Sequence, residues 1–283
     1  VEQAAGVSAG VSDADYVSAG AEVAARDRVL DGADIVLCVV GPEPSELKGC
    51  KPGALLVGSL DPFRRASAIR GYAEAGLEAL AMEWTPRITR AQSMDILSSQ
   101  SNLAGYKAVV DAASVYGRAF PMMMTAAGTV SAARVFVMGV GVAGLQAIAT
   151  ARRLGAQVSA TDVRSATREQ ILSLGAKPIF VENVAGIEGE GQGGYATETS
   201  DEYRAAQAEL VSAHLAKQDI VITTALIPGK PAPRLISDAQ VATMRAGSVI
   251  VDLAADAGGN VEGTVTGERV LRHGVTIIGA ANL

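Results

Sequence analysis

The chain has 283 residues, a formal net charge of -6, and 49% hydrophobic but only 4% aromatic residues. The length suits two domains, and the scarcity of aromatic side chains favours helices packed through small residues on parallel strands. The acidic balance provides no basic surface for nucleic acid, so we expect no nucleic-acid partner. No apolar run is long enough to cross a bilayer and no signal peptide opens the chain, which predicts a soluble protein.

The first part of the chain alternates short apolar runs with helical segments. Helices are predicted over residues 12–19 and 62–75, and strands over residues 35–40, 54–57 and 77–82. The strand at 35–40 is an unbroken apolar run, which predicts burial on both faces. This alternation is typical of a parallel sheet covered by helices, so residues 1–97 are predicted to form an N-terminal α/β domain.

A polar segment then separates the two halves of the chain. Its side chains include Arg87, Arg90, Gln92 and Asp95, and a long helix is predicted to follow over residues 98–119. Ligand clefts form at domain junctions, but an inter-domain ion-pair cluster fits the same residue types equally well.

A glycine-rich turn, GVGVAG, follows a short β-branched strand over residues 135–138. In the order of the chain, Gly139 suits a tight turn, Gly141 lets backbone amides approach a pyrophosphate, and Gly144 permits close packing of helix and strand. A helix over residues 145–154 follows, and its N-terminus favours an anion. The pattern predicts dinucleotide binding; the alternative is a glycine-rich turn that binds nothing.

A second strand, over residues 157–161, ends directly at Asp162. A carboxylate there accepts hydrogen bonds from the adenosine ribose hydroxyls and repels a 2′-phosphate, which favours NAD over NADP. Arg164 is close enough in sequence to soften that preference.

The rest of the chain continues the same alternation. Helices are predicted over residues 166–174, 201–217 and 237–245, and strands over residues 178–181, 220–224, 249–253 and 275–279. The Gly-rich stretch 182–200, which contains Tyr195, is predicted to be a functional lid or disordered. Residues 98–283 are thus predicted to be a linker helix plus a dinucleotide-binding Rossmann domain.

Neither the two cysteines nor the two histidines form a metal or triad pattern. Cys38 and Cys50 lack metal-ligand spacing, and His214 and His273 have no adjacent nucleophile arrangement. We expect no metal site.

Two long segments, RAQSMDILSSQSNLAGYKAV from Arg90 and FPMMMTAAGTV from Phe120, together with the glycine turn and Ala225 to Pro231, resemble one family. This is the NAD(H)-binding domain I of proton-translocating nicotinamide nucleotide transhydrogenases, a relative of alanine dehydrogenase. The resemblance covers almost the whole chain and implies two Rossmann-like α/β domains. The family's first strand, its basic segment and its closing helix have no counterpart here, so both ends are expected to be trimmed.

The resemblance also implies the residues that bind NAD(H). They are Arg87, Ile88, Thr89, Arg90, Gln92, Ser93, Met94, Asp95, Ser98, Gly139, Gly141, Val142, Gly144, Asp162, Val163, Arg164, Gly194, Tyr195, Gln207 and Leu226. Among these, Arg87, Gln92 and Asp95 are the implied catalytic residues, with Gln92 nearest the hydride path. Gly194 and Tyr195 are implied to belong to a mobile lid.

The implied reaction is direct hydride transfer from NADH to NADP⁺ bound on a partner domain III, coupled to proton flow through a membrane proton-channel subunit. The resemblance implies a homodimer that is peripheral to the cytoplasmic face of the inner membrane through its partner subunits.

The chemistry of the residues agrees, because transfer between two nicotinamides needs no acid or base. Alanine dehydrogenases carry a strand lysine and a histidine, whereas this chain has Cys38 in the matching strand and no histidine from Val57 to Asp61. The alternatives are an alanine dehydrogenase-like enzyme and a non-catalytic NAD-sensing module.

Overall fold

The chain folds into two α/β units, Val1–Ile96 and Leu97–Leu283. The computed structural model describes residues 1–86, 88–181, 201–227 and 229–281, without the side chains of residues 201–204. Among these residues the α-helices are α1 (Asp13–Ser18), α2 (Arg26–Leu30), α3 (Ala66–Glu74), α4 (Ile96–Val115), α5 (Val142–Arg153), α6 (Thr167–Ser173), α7 (Asp201–Leu215) and α8 (Asp238–Val241). The strands are β1 (Ile35–Val40), β2 (Leu55–Ser59), β3 (Glu78–Ala81), β4 (Met123–Thr125), β5 (Gly128–Val130), β6 (Arg134–Met138), β7 (Gln157–Thr161), β8 (Lys177–Pro178), β9 (Ile220–Thr223), β10 (Val249–Asp252), β11 (Arg269–Arg272) and β12 (Val275–Gly279).

The first unit contains a three-stranded parallel sheet in the order β1-β2-β3. Its core lies on one face, where Leu56 and Tyr72 are buried and Val36 packs against them. The prediction that β1 is buried on both faces was wrong, because Leu37 and Val39 are 76% and 88% exposed. Successive side chains of a strand point to opposite faces, so a continuous apolar run reports strand formation but not what covers each face.

The second unit is built on a seven-stranded sheet in the order β11-β12-β10-β9-β6-β7-β8. All neighbouring strands are parallel except β11, which pairs antiparallel with β12 at the edge. The chain builds the sheet outward from β6 through β7 to β8, then returns to the other side of β6 with β9. This reversal between β6 and β9 is the point where open α/β sheets bind ligands, at the carboxyl ends of the strands.

The core of the second unit lies on both faces of this sheet. On β6, Val135 and Val137 join one buried cluster with Ile148 of α5, while Phe136 and Met138 join a second with Leu215 of α7. Burial on both faces explains why β6 reads as a continuous apolar run.

Several elements differ from the sequence-based expectation. The β4–β5 hairpin and β11 have no counterpart among the predicted elements. β8 has two residues, and α8 ends at Val241 rather than at residue 245. Among the described residues, no helix combines the length and apolar character needed to span a membrane.

Candidate functional site

Polar and glycine residues gather where neighbouring strands of the second unit end. Met138 of β6 pairs with Thr161 of β7 on one side and Thr223 of β9 on the other. The residues that follow these three strands therefore lie at the same edge of the sheet, on both sides of the reversal in strand order.

The glycine turn after β6 has the close approaches that require glycine. Gly139 has φ +98°, in the left-handed region that favours glycine. A Cβ on Gly144 would lie 1.9 Å from the carbonyl oxygen of Gly139, so α5 packs directly on the turn. A Cβ on Gly141 would meet no atom within 4 Å, which leaves open space beside the backbone of the turn.

The N-terminus of α5 opens onto this turn. Its N-cap is Gly141, and no side chain caps the first turn of the helix. The first N–H groups of a helix have no intrahelical partner and carry a partial positive charge, so they bind anions. With the open space at Gly141, this geometry fits a pyrophosphate.

Asp162 lies beside the turn and is only 7% exposed. Its Oδ2 accepts a hydrogen bond from the backbone N–H of Val140 at 2.7 Å, and its Oδ1 accepts one from the backbone N–H of Arg164 at 2.9 Å. The Arg164 guanidinium donates to both oxygens, each at 2.9 Å. Burial raises the pKa of Asp162, but the hydrogen bonds from Arg164 and Val140 outweigh it and hold the pKa below its usual range.

These four hydrogen bonds fill the acceptor capacity of the carboxylate, which is about four lone-pair positions. Two of the donors are backbone groups that shape the turn, and the other two belong to the Arg164 side chain. A ribose hydroxyl that bonds to Asp162 would therefore replace a guanidinium N–H.

The structure brings part of the predicted site to this edge. The predicted residues found at this edge are Gly139, Gly141, Val142, Gly144, Asp162, Val163, Arg164 and Leu226. Val142 is 41% exposed and Leu226 is 48% exposed, so both apolar side chains are accessible. Gln207 lies half-buried midway along α7, and Ser98 lies in the first turns of α4.

The predicted junction residues belong to the first unit. Thr89–Met94 form a short 3-10 helix whose Ala91 is buried, while Gln92 is exposed. Ile88, Arg90, Ser93 and Met94 are also exposed, and Asp95 is half-buried at the end of this helix. Arg87, Gly194 and Tyr195 lie outside the described residues.

Three polar residues that the sequence did not single out lie at the same edge. The Thr224 hydroxyl donates to the carbonyl oxygen of Gly139 at 3.0 Å, and Asp252 and Asn260 are fully buried beside β9. Thr224 and Asp252 could have been found from the sequence, because both lie at the ends of predicted strands. No sequence pattern around Asn260 indicates its role. Within the described ranges, no group of three or more His, Cys, Asp or Glu side chains could hold a metal ion.

Comparison with known proteins gives consistent matches over both units. Residues 1–104 match the family model described as "Alanine dehydrogenase/PNT, N-terminal domain", and residues 108–283 match the corresponding C-terminal domain. The chain is 53% identical to an NAD(P) transhydrogenase alpha subunit protein of Rhodospirillum rubrum, and the match covers 100% of this chain and 75% of that protein. It is 50% identical, with the same coverage, to the protein of the same name from Rickettsia prowazekii.

Solved structures agree with this relationship. A transhydrogenase from Sinorhizobium meliloti has a TM-score of 0.91 and 54% identity, over 100% of this chain and 76% of that one. An L-alanine dehydrogenase has a TM-score of 0.80 and 26% identity, over 100% of this chain and 73% of that one. The predicted α/β class is thereby confirmed. The chain belongs to the alanine dehydrogenase/PNT family and, within it, to the NAD(P) transhydrogenase alpha subunits.

Proposed function

We propose that this chain binds NADH and passes its hydride directly to NADP⁺ held by a separate domain. The observation that carries the proposal is the open glycine turn beside Asp162, at the reversal in strand order of the second unit. It is supported by the high identity to transhydrogenase alpha subunits along the entire chain. We also propose that the chain divides into two domains, an N-terminal α/β domain over residues 1–97 and a linker helix plus NAD-binding Rossmann domain over residues 98–283.

The cofactor-binding roles in the second unit follow from local geometry. The pyrophosphate would lie against Gly141 and the N-terminus of α5, where the N–H groups and the helix dipole favour negative charge. Asp162, Val163 and Arg164 would line the adenosine ribose. Leu226 would contact the nicotinamide half.

The junction residues of the first unit, with Ser98 of α4 in the second unit, complete the proposal. We assign Arg87, Gln92, Asp95 and Ser98 to the nicotinamide carboxamide and its ribose. Ile88, Thr89, Arg90, Ser93 and Met94 would line the same part of the site, Gln207 the adenine side, and Gly194 and Tyr195 a lid. These roles rest on the family resemblance.

The proposed hydride transfer is balanced without a proton donor or acceptor on the protein. One hydride leaves C4 of NADH and bonds to C4 of NADP⁺, so NAD⁺ and NADPH form and no proton is exchanged. The protein therefore needs to align the two rings and to exclude water.

The positions of the two histidines agree with this chemistry. His214 bonds to Ser159 in the middle of β7 and packs edge-on against Phe136 in the middle of β6. His273 lies in the turn between β11 and β12 and pairs with Asp238. Neither histidine is placed at the glycine turn to accept a substrate proton.

The proposed assembly is a homodimer with an NADP(H)-binding domain III and a membrane proton-channel subunit. The chain would then be peripheral to the cytoplasmic face of the inner membrane through these partners. The designation of its relatives as subunits supports a multi-subunit complex.

The test is to mix the chain with NADH and an NADP⁺-loaded partner domain and to follow NADPH formation. We expect NADPH with the partner, none without it, and no NADH from alanine and NAD⁺. Alanine-dependent NADH formation would instead identify an alanine dehydrogenase. Intact NADH binding without hydride transfer in the complete mixture would identify an NAD-sensing module.

A further inference from the structure

A fully buried asparagine holds the backbone directly after β9. The Oδ1 of Asn260 accepts a hydrogen bond from the N–H of Ala225 at 3.0 Å, and its Nδ2 donates to the carbonyl oxygen of Ala225 at 2.9 Å. The same Nδ2 donates to the carbonyl oxygen of Pro233 at 2.8 Å. The Asn260 side chain thus satisfies both backbone groups of Ala225 and also binds the carbonyl group of Pro233, eight residues further along the chain.

Ala225 lies where the sheet no longer fixes the chain. β9 ends at Thr223, and Leu226 follows Ala225 with 48% of its surface exposed. The primary amide of Asn260 presents one acceptor and one donor to Ala225, as a peptide group of a neighbouring strand would. Because the backbone N–H of Thr224 still bonds to Met138 of β6, the Asn260 amide extends the order of the sheet by one residue, Ala225, directly before Leu226.

The residue that follows Asn260 is held by Asp252, a buried carboxylate at the end of β10. Asp252 Oδ2 accepts from the backbone N–H of Val261 at 3.0 Å and from the Thr264 hydroxyl at 2.8 Å. Its Oδ1 accepts from the backbone N–H of Ala254 at 3.0 Å and from the Thr223 hydroxyl at 3.1 Å. A fully satisfied buried network of this kind is rigid.

The segment that Asn260 holds also touches the glycine turn. Thr224 donates its hydroxyl to the carbonyl oxygen of Gly139, and Asp162 lies on the opposite side of β6, at the end of β7. With the adenosine half beside Asp162 and the pyrophosphate at the turn, the nicotinamide half extends across the reversal toward Leu226.

We infer that Asn260 is a positioning residue that fixes Leu226 against the nicotinamide half of the dinucleotide. The inference rests on the proposed function, but its structural part does not require a ligand. Asn260 acts through Ala225 and touches no reacting atom.

The first measurement is amide hydrogen exchange on the 283-residue chain without ligand. We expect the N–H of Ala225 to be protected in the wild type, although it lies beyond the end of β9. In Asn260→Asp, a carboxylate oxygen replaces the Nδ2 donor and faces the two carbonyls, so this protection should fall while that of Ile222 persists. An unprotected Ala225 amide in the wild type would overturn the inference, even if no Asn260 variant folds.

The second measurement compares calorimetric affinities for NADH and for ADP-ribose, which lacks the nicotinamide. For Asn260→Asp we expect NADH affinity to fall about tenfold and ADP-ribose affinity to change less than about twofold. Gln218→Ala is the matched control, because Gln218 is also buried and bonds to the carbonyl oxygen of His214 near the start of β9. It should leave both affinities unchanged.

A folded Asn260→Asp chain with wild-type NADH affinity would overturn the inference, as would equal losses for both ligands or the same selective loss in Gln218→Ala. A wild-type chain that shows the amide protection but binds no NADH would contradict the proposed function and leave the hold on Ala225 standing.

Discussion

At the scale of single residues, Asp162 joins the glycine turn to the end of β7. Its carboxylate bonds to the backbone N–H of Val140, inside the glycine turn, and to the guanidinium of Arg164. The pairing with Arg164 also bears on cofactor choice, since the guanidinium neutralises the charge that would repel a 2′-phosphate. Asp162 therefore shapes the glycine turn through Val140, and we propose that it also contacts the adenosine ribose.

We predict that Asp162→Ala weakens NADH binding by about 1 to 3 kcal/mol, because the ribose loses its acceptor and the Val140 N–H loses its partner. Isothermal calorimetry measures the change. Asp238→Ala is a suitable control, since Asp238 pairs with Arg272 and His273 away from the glycine turn. If Asp162→Ala binds NADH with wild-type affinity, Asp162 is not part of the binding site.

The lowered pKa of Asp162 predicts a dependence of stability on pH. A carboxyl whose pKa is lower in the folded state stabilises the fold above its unfolded pKa, and this contribution is lost as the pH falls through the folded pKa. The difference in unfolding free energy between wild type and Asp162→Asn should be constant at neutral pH and shrink below about pH 4. Denaturant unfolding across this range measures it, and a difference that grows toward acid would contradict the assignment.

Gln92 is predicted to align the nicotinamide rather than to bind it. It is exposed on the 3-10 helix Thr89–Met94. For Gln92→Ala we expect a slower hydride step with nearly normal NADH affinity, since a residue that acts only on alignment changes the rate and not the ground-state binding. Single-turnover kinetics with the partner domain separates the two. A large loss of affinity with a normal rate would refute this role.

At the scale of elements, the β6–turn–α5 unit contains two glycines, Gly144 and Gly141, whose different roles can be distinguished by experiment. A Cβ at Gly144 would overlap the carbonyl oxygen of Gly139, whereas a Cβ at Gly141 would enter open space. Gly144→Ala should therefore lower the thermal stability of the chain. Gly141→Ala should keep the wild-type stability and lose NADH affinity, because its methyl group would occupy the proposed pyrophosphate position. Thermal unfolding and calorimetry on both variants test this, and a Gly141→Ala chain with normal affinity would contradict the pyrophosphate position.

The β6–α5–β7 unit was predictable because its signals are local. The strand, the three glycines, the helix and Asp162 follow one another within 29 residues, from Arg134 to Asp162, and the backbone needs glycine at Gly139 and Gly144 for steric reasons. β7 and β12 have the predicted bounds, since a glycine turn, at Gly155 and at Gly274, precedes each strand.

The elements that were missed depend on partners distant in sequence. Asn260 bonds to Ala225 across 35 residues, and no pattern around either residue indicates it. β11 forms only because it pairs with β12, and its charged ends obscure the strand signal. The exposed face of β1 was misjudged for the same reason, because coverage is a tertiary property.

At the scale of the whole molecule, the proposed dinucleotide site lies at the glycine turn of the second unit, and neither of the two histidines lies at that turn. The second unit supplies the glycine turn, Asp162 and the segment that precedes Leu226, while His214 lies on α7 and His273 lies in the turn between β11 and β12. The proposed hydride transfer between two nicotinamides needs no proton acceptor. We propose that this chain depends on a separate component that carries the second nicotinamide.

The most direct measurement follows a deuterium label from C4 of NADH in the presence of the NADP⁺-loaded partner domain. We predict that the NADPH formed carries the label, with no exchange into water and no product when the partner is omitted. Recovery of the label in the solvent, or a hydride transferred to an amino-acid substrate by this chain alone, would contradict direct transfer between the two nucleotides.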